Sequence, residues 1–243
     1  MISGTTKLVG LIGHPVAESL SPRMQNAAFA ARALDWAYVP LQVEPERLGQ
    51  AVAGLVAQRF AGANVTIPHK QAVVELCDEV EDFARRADSV NTLVVRDGHV
   101  HGSSTDAAVL EDVRVRSAAI VGAGGAAKAF ATALEDAGAE VSLFSRRGAW
   151  PPESRGAQLV VNATPVRDEL LIEPQPGQLV IDLAYRPDGR PTALVEAARA
   201  AGCEVVDGLE VLLRQGAASF ERWTGVEAPL QAMRAALGRT LRP

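Results

Sequence analysis

The sequence has few of the residues from which metal centres and disulfide frameworks are built, and it has no long apolar run. Its 243 residues include two cysteines and four histidines, and neither type recurs at the spacing of a paired-ligand motif. No uncharged run exceeds 11 residues, whereas a membrane-spanning helix needs about 20. These shortages predict a cytoplasmic protein with reduced cysteines, no bound metal and no membrane partner.

Positive charge is also scarce. The 24 Lys and Arg residues are outnumbered by 29 Asp and Glu residues, so the formal net charge is −5 and the isoelectric point is near 5.5. Domains that bind nucleic acid usually carry a basic excess, so no nucleic-acid partner is expected. The hydrophobic fraction of 48% is ordinary for a globular protein, and the length suits one or two domains with buried cores.

Apolar runs typical of strands alternate with helical patterns along most of the chain. Strands are predicted at residues 7–12, 36–43, 63–67, 90–95, 99–101, 117–121, 140–144, 159–163, 179–184 and 204–206. Helices are predicted between most of them, including helices from the end of the third strand to residue 87, and again at 209–223 and 228–241. Strands that alternate with helices indicate parallel sheets covered by helices, so the predicted fold class is α/β.

A glycine-rich turn stands between a predicted strand and a predicted helix. Residues 122–127 read Gly-Ala-Gly-Gly-Ala-Ala and fit the pattern G-x-G-x-x-A. In a dinucleotide-binding turn, the first glycine permits the tight bend and the second lets a pyrophosphate approach the backbone. The helix N-terminus then offers N–H groups to the phosphates. A plain tight turn is the alternative interpretation.

The strand after this turn ends in Ser145, Arg146 and Arg147. Turns that bind NAD usually place an Asp or Glu there, about 20 residues further on, to accept from the ribose 2′-hydroxyl. Two guanidinium groups would instead bind a 2′-phosphate. The sequence therefore favours NADP over NAD, with a solvated arginine pair at a strand end as the alternative.

Polar side chains also cluster where the first strands end. Ser19 and Ser21 precede a helix, with Ser21 predicted as its N-cap and Pro22 as its first helical residue. The run at residues 64–70, Asn-Val-Thr-Ile-Pro-His-Lys, has one polar face and ends on Lys70. Carboxyl ends of strands are where open α/β sheets bind ligands. Each group alone is compatible with an ordinary cap or turn; together they suit a small polyhydroxylated acid.

With these residues assembled, the chain resembles the shikimate dehydrogenases. Residues 13–22 are similar to that family's G-x-P-I-x-H-S-x-S-P, and residues 64–70 match its N-V-T-x-P-x-K. Shorter matches, in chain order, are V-N-T at 90–92, T-D at 105–106, the cofactor turn at 122–127, S-R for N-R at 145–146, N-A-T at 162–164, D-x-x-Y-x-P at 182–187 with Thr192, and the C-terminal signature at 208–225. The resemblance runs almost end to end.

The resemblance implies the reversible NADPH-dependent reduction of 3-dehydroshikimate to shikimate. It implies an N-terminal α/β substrate domain at residues 1–103, completed by C-terminal helices at 208–243 that pack back on it. A Rossmann-like NADP domain would occupy 104–207, and the active site would lie in the cleft between the two. The expected partners are the small-molecule substrate and NADP, and the expected assembly is a monomer or a homodimer.

The same resemblance implies a set of site residues. Lys70 and Asp106 would be the catalytic pair. The substrate would be held by Ser19, Ser21, Thr66, Asn91, Asp106, Tyr185 and Gln215. The cofactor would be held by Gly122, Ala123, Gly124, Gly125, Ala126, Ser145, Arg146, Arg147, Leu183 and Gly208. No metal ligand is implied.

The chain departs from the family pattern in several places. Glu18 stands in place of a His, Ser104 and Ala107 replace Asn and Gly, and Gln25 replaces a His. Only 15 residues separate Arg146 from Asn162, an interval in which the family usually carries a helix and a strand, so the NADP domain is predicted to be shortened after residue 147. These departures leave two alternatives: a dehydrogenase of quinate or a shikimate analogue, and a non-catalytic shikimate sensor on the same fold.

Overall fold

The computed structural model describes residues 2–238. The chain divides into two compact units, residues 2–105 with 213–238 and residues 106–212. They are called the first and the second unit below. The predicted boundaries of the substrate and cofactor domains stay a prediction, and the last part of the helix predicted at 228–241 lies outside the described residues.

The first unit contains a six-stranded mixed sheet. Its strands are β1 (Lys7–Gly13), β2 (Trp36–Gln42), β3 (Gly62–Val65), β4 (Glu79–Val80), β5 (Thr92–Arg96) and β6 (His99–Ser103). The strand order is β2-β1-β3-β5-β6-β4. β1 pairs in parallel with β2 and β3, whereas β5 pairs antiparallel with β3 and β6. The hairpin between β5 and β6 turns at Asp97 and Gly98, which both have positive φ as its two-residue turn requires.

Four helices accompany this sheet, and their bounds are α1 (Ser21–Ala31), α2 (Leu48–Ala57), α3 (Asp82–Arg86) and α7 (Leu230–Ala236). The first unit also contains the part of α6 (Gly208–Thr224) from Leu213 onward. Phe29 of α1 packs on Phe220 of α6, with ring centroids 5.5 Å apart. The indole of Trp223 donates to the carbonyl of Leu93 on β5 at 2.9 Å. Helix α6 thus packs on the sheet and α7 packs on α1, so the C-terminal helices pack within the first unit, which confirms that part of the predicted fold class.

One part of the predicted helical pattern in this unit is wrong. The sequence pattern predicts helices over residues 68–87, but they contain a single 3₁₀ turn at Val74–Leu76, the two-residue strand β4 and the short helix α3. The reason is tertiary: β4 pairs with β6, and the Asp78 carboxylate accepts from the backbone N–H of Val100 at 2.7 Å. Those bonds hold residues 78–80 extended.

The second unit is a parallel sheet with helices. Its strands are β7 (Ser117–Val121), β8 (Glu140–Phe144), β9 (Leu159–Asn162), β10 (Leu179–Asp182) and β11 (Glu204–Val206), and its helices are α4 (Gly125–Asp136), α5 (Ala193–Ala200) and the first residues of α6. The order is β11-β10-β9-β7-β8, with every pair parallel. β9 is buried along its whole length, as expected of a central strand between two helical layers.

This order corresponds to five of the six strands of a Rossmann sheet. In the Rossmann strand order 3-2-1-4-5-6, β7 corresponds to strand 1, β8 to strand 2, and β9, β10 and β11 to strands 4, 5 and 6. Residues 106–212 contain no counterpart of strand 3, so β8 forms an edge of the sheet. Residues 145–158 contain neither helix nor strand, and Leu143 on β8 is 45% exposed.

Candidate functional site

Lys70 follows β3 in a turn that is fixed at several points. The buried imidazole of His69 donates from Nε2 to the carbonyl of Val43 at 2.7 Å, since a carbonyl only accepts. The backbone N–H of His69 bonds to Thr66, and the carbonyl of Lys70 accepts from Val90 at 2.8 Å. Lys70 itself is half-buried. His69 is therefore an anchoring residue that sequence reasoning missed, because a lone histidine carries no local signal of its partner.

A buried polar network crosses the sheet of the first unit beside this turn. Asn64 of β3 donates to the carbonyl of Asn91 at 3.0 Å and to the hydroxyls of Thr92 and Ser219 at 3.2 and 3.0 Å, and it accepts from Tyr38 at 2.8 Å. One asparagine thus links β2, β3, the start of β5 and helix α6. The sequence predicts the polar face of residues 64–66, but it does not reveal the partner Ser219.

The network continues to two of the predicted substrate residues. The side-chain oxygen of Asn91 accepts from the backbone N–H of Thr105 at 2.8 Å, and the Thr105 hydroxyl donates to the carbonyl of Gln215 at 3.0 Å. The amide groups of Asn91 and Gln215 are themselves 3.4 Å apart. The structure thus brings Asn91 and Gln215 together and fixes Thr105, which directly precedes the buried Asp106.

The predicted cap at the start of α1 is wrong. Ser21 is the first residue of the helix, and Leu20 occupies the capping position with φ −86° and ψ −6° and no side-chain bond to the helix. The hydroxyl of Ser19 accepts from the backbone N–H of Ser21 at 3.2 Å instead. The helix therefore begins one residue earlier than a Ser21 cap would place it, and Ser21 is buried while Ser19 is half-buried.

The predicted site residues are divided between the units. Those of the first unit are Ser19, Ser21, Thr66, Lys70, Asn91 and Gln215, and those of the second are Asp106, Tyr185 and the whole predicted cofactor set. Tyr185 and Gly208 line an open depression within the second unit. Gly208 approaches the chain so closely that a Cβ there would lie 2.3 Å from the carbonyl oxygen of Ala184.

The glycine-rich turn has the shape of a phosphate cradle. Gly122 has φ +140°, and a Cβ on it would lie 3.0 Å from the carbonyl oxygen of Ala163. A Cβ on Gly124 would meet nothing within 4 Å among the described atoms, so the turn faces open space there. Gly124 is also the N-cap of α4, and no described side chain caps this helix. The N–H groups of its first turn are thus directed at an open, uncapped position, which fits a pyrophosphate.

The arginines stand beyond the end of β8. Ser145 is half-buried, and Arg146 and Arg147 are exposed. The guanidinium of Arg146 lies 3.8 Å from the carboxylate of Glu169 and 5.8 Å from the centroid of the Trp150 ring. The position after the second strand of the sheet is where a dinucleotide-binding fold recognises the adenosine ribose, so the residues present suit NADP.

Comparison with known proteins agrees with this geometry. Residues 11–93 match the model of the shikimate dehydrogenase substrate binding domain, and residues 208–237 match that of the shikimate 5′-dehydrogenase C-terminal domain. A shikimate dehydrogenase (NADP(+)) from Anaeromyxobacter sp. is 42% identical over 98% of this chain and 98% of its own. The chain belongs to the shikimate dehydrogenase family.

Solved structures of this family have the same fold. A shikimate 5-dehydrogenase from Thermus thermophilus in complex with NADP(H) and shikimate is 33% identical, with a TM-score of 0.86 over 96% of this chain and 99% of its own. A quinate dehydrogenase from Corynebacterium glutamicum in complex with NAD is 28% identical, with a TM-score of 0.80 over 95% of this chain and 98% of its own. The resemblance to the shikimate dehydrogenases and the α/β fold class are thereby confirmed.

The shikimate dehydrogenase from Anaeromyxobacter is longer than this chain. Its alignment spans 276 residues, which exceeds the 243 residues here by 33. At least 33 residues of that relative therefore have no counterpart in this chain. The sheet that ends on β8 is one place where such a difference can be accommodated.

Two motifs of the family meet around a buried carboxylate in the second unit. Asp182 accepts from the amide of Asn162 at 2.9 Å, from the backbone N–H of Ala184 at 3.0 Å and from the hydroxyl of Thr192. Burial raises the pKa of Asp182, although these three bonds favour its ionised form and act in the opposite direction. The Asn of N-A-T and the Asp of D-x-x-Y thus have a structural role, because their hydrogen bonds hold the ends of β9 and β10 together.

Replacement of Asp182 should change how stability depends on pH. The pKa of Asp182 is higher in the folded protein than in the unfolded chain. Its contribution to the free energy of unfolding is therefore complete below its unfolded pKa of about 3.9, and it is lost as pH rises through its folded pKa. We expect Asp182→Ala to cost about 3 kcal/mol, because three donors lose their acceptor. Asp182→Asn keeps one acceptor oxygen and should cost less, and its cost should shrink as pH rises above 4. Urea unfolding of both variants at several pH values checks this, and a pH-independent cost for Asp182→Asn would contradict it.

Both cysteines of the chain lie among the described residues. Cys77 and Cys203 are free and half-buried, and burial raises the pKa of the Cys77 thiol to about 11. Across residues 2–238 no group of three or more His, Cys, Asp and Glu side chains could hold a metal ion. None of the helices in that part of the chain is long and apolar enough to cross a membrane.

Proposed function

We propose that this protein catalyses the reversible, NADPH-dependent reduction of 3-dehydroshikimate to shikimate. The observation that carries the proposal is the combination of a fixed lysine turn and buried polar network in the first unit with an uncapped glycine cradle and strand-end arginines in the second. The shikimate dehydrogenases named above bear the matching activity in their names.

We assign the catalytic roles to Lys70 and Asp106. When bound, NADPH supplies the hydride that reduces the substrate ketone. The ketone oxygen gains negative charge as the hydride arrives, and the Lys70 ammonium would stabilise that charge and deliver the proton. Asp106 would accept a hydrogen bond from the reacting hydroxyl and orient it against Lys70. In the oxidation direction Lys70 would receive the hydroxyl proton.

We assign substrate binding to residues with hydroxyl and amide groups. Ser19, Ser21 and Tyr185 would bind the carboxylate, and Thr66, Asn91 and Gln215 would bind the ring hydroxyls together with Asp106. The 3.4 Å separation of the Asn91 and Gln215 amides supports a shared hydroxyl ligand. For the cofactor, Gly122, Ala123, Gly124, Gly125 and Ala126 would hold the pyrophosphate. The remaining cofactor residues would be Ser145, Arg146, Arg147, Leu183 and Gly208.

One observation favours an alternative substrate. The hydroxyl of Ser104 is buried without a hydrogen-bond partner among the described residues, and it stands where the family carries Asn. Serine is shorter than asparagine and lacks its amide, so the hydrogen bonds available beside Asp106 differ from those of the family pattern. Quinate carries one hydroxyl more than shikimate, and it is therefore the second candidate substrate.

A steady-state assay that crosses two cofactors with two substrates tests the proposal. We expect kcat/KM to be highest with NADP+ and shikimate, and at least about tenfold lower with NAD+, because strand-end arginines bind a 2′-phosphate by charge-assisted hydrogen bonds. A preference for quinate would favour the alternative dehydrogenase. Shikimate binding in calorimetry without turnover or NADP binding would favour the non-catalytic sensor.

A further inference from the structure

The chain folds back on itself directly after β8. The backbone N–H of Gly148 donates to the carbonyl of Ser145 at 2.9 Å, and the N–H of Ser145 donates to the carbonyl of Ala149 at 3.1 Å. This reversal returns Trp150 to the side of Arg146, where the guanidinium carbon lies 5.8 Å from the ring centroid. That distance is within the range of a cation–π contact. A turn of four residues thus builds an arginine–tryptophan pair at the sheet edge.

The pair lies on the surface and not in a core. Trp150 is 42% exposed, and the Arg146 side chain is 72% exposed. The other two tryptophans behave differently, since Trp223 is buried and Trp36 packs on Phe29. A ring with this much exposed surface contributes less to folding than a buried one, so its packing alone gives a weak reason for a tryptophan at this position.

Stacking leaves the hydrogen-bonding groups of Arg146 available. Arg146 lies over the Trp150 ring, and a cation–π contact of this kind uses none of the five N–H donors of the guanidinium. The Glu169 carboxylate stands 3.8 Å away, which is too long for a hydrogen bond. Exposed ion pairs of this kind contribute little. An incoming anion with oxygens in the guanidinium plane could therefore replace Glu169 without disturbing the contact with Trp150.

We propose that Trp150 is a positioning residue for NADP: it holds the Arg146 guanidinium in place for the ribose 2′-phosphate, while Glu169 competes with that phosphate. The inference rests on the proposed function, because it presumes that NADP binds at the glycine cradle. An exposed arginine samples many rotamers, and binding must otherwise restrict them. Stacking on a rigid ring restricts them beforehand. Trp150 thus supports the 2′-phosphate contact that separates NADP from NAD.

Binding measurements on Trp150 variants test this without any turnover. Calorimetry with NADP+ and NAD+ should give a Kd for NADP+ that rises about 3- to 10-fold in Trp150→Ala, the size expected when one long side chain must be ordered on binding. The Kd for NAD+ should change less than about twofold, because NAD+ lacks the group that Arg146 binds. Trp150→Phe keeps an aromatic face and should restore most of the NADP+ affinity.

Glu169→Gln should act in the opposite direction. Loss of the competing carboxylate should lower the Kd for NADP+ about 2- to 3-fold at low ionic strength, and the gain should fade at high salt because exposed charges are screened. Glu204→Gln on β11, at the other edge of the same sheet, is the charge-matched control and should leave the Kd unchanged.

These outcomes distinguish a failure of this inference from a failure of the proposed function. An equal loss of NADP+ and NAD+ affinity in Trp150→Ala would mean that Trp150 only shapes the loop, and unchanged affinities would mean that it does nothing for binding; either result overturns the inference. If the parent protein bound NADP+ no better than NAD+, the proposed NADP dependence would fail as well. A gain in Glu169→Gln that is matched by Glu204→Gln would remove the role given to Glu169.

Discussion

Lys70→Ala should lower kcat for shikimate oxidation by about 10²- to 10⁴-fold, the range that a positioned general acid–base group contributes. The KM for shikimate should change much less, because the interaction lost is one made in the transition state. The lysine turn should survive, since it is held by the His69 imidazole and by backbone bonds that the substitution leaves in place. NADPH absorbance gives the rates, and circular dichroism gives the state of the fold.

Two further variants make this result specific. Lys7→Ala removes the same charge from the surface, where Lys7 lies 5.3 Å from the Trp36 ring, and it should leave turnover unchanged. Lys70→Arg keeps a cation but cannot give up its proton, so it should recover only the electrostatic part of the loss. A kcat for Lys70→Ala within about threefold of the parent, well below what a general acid supplies, would remove Lys70 from the mechanism.

Asn64→Ala should destabilise the first unit by about 3–4 kcal/mol, because several buried groups lose a partner at once. Asn64 is 5% exposed and its side chain makes four hydrogen bonds, to Tyr38, Asn91, Thr92 and Ser219. Alanine can replace none of them, and the space it leaves is too deeply buried to be filled without rearrangement. The sheet of the first unit and α6 should be destabilised together, since the Asn64 side chain is bonded to both.

Urea unfolding followed by tryptophan fluorescence measures this loss. A Trp150→Phe background leaves Trp36 and Trp223, which both belong to the first unit, so the signal reports that unit. Tyr38→Phe removes the phenolic hydroxyl that donates to Asn64, and it should cost about 1 kcal/mol, the usual net value of a hydrogen bond. If Asn64→Ala cost no more than Tyr38→Phe, the network would be a weak contributor and its role in fixing Asn91 would be lost.

The parts of this protein that sequence could predict are those with a local cause. The hairpin follows from Asp97 and Gly98, whose positive φ angles few other residue pairs adopt, and the glycine-rich turn at 122–127 follows from glycines that leave room for a backbone or a ligand. The pattern failed at residues 68–87. A two-residue strand such as β4 has no periodicity, and its extended state depends on pairing with β6.

The candidate site shows the same division. Asn64 and Thr66 could be singled out because they alternate with apolar residues, and Lys70 because it follows them at the end of the predicted strand. Ser219 and the carbonyl of Gln215 could not, since they reach Thr105 across separations of 114 and 110 residues. The arginines after β8 were visible in the sequence, but the contacts of Arg146 were not. They depend on the turn that returns Trp150, and on Glu169 from the next loop.

The open edge at β8 has a consequence for how this fold can change in length. A strand at the edge of a sheet has one neighbour, so its loss breaks a single strand pairing and its gain makes one. An interior strand such as β9 cannot be removed without separating β7 from β10. Insertions and deletions between Arg147 and Leu159 therefore leave the glycine turn and its supporting strands untouched. The periphery of the second unit can vary in size over evolution while its centre keeps one geometry.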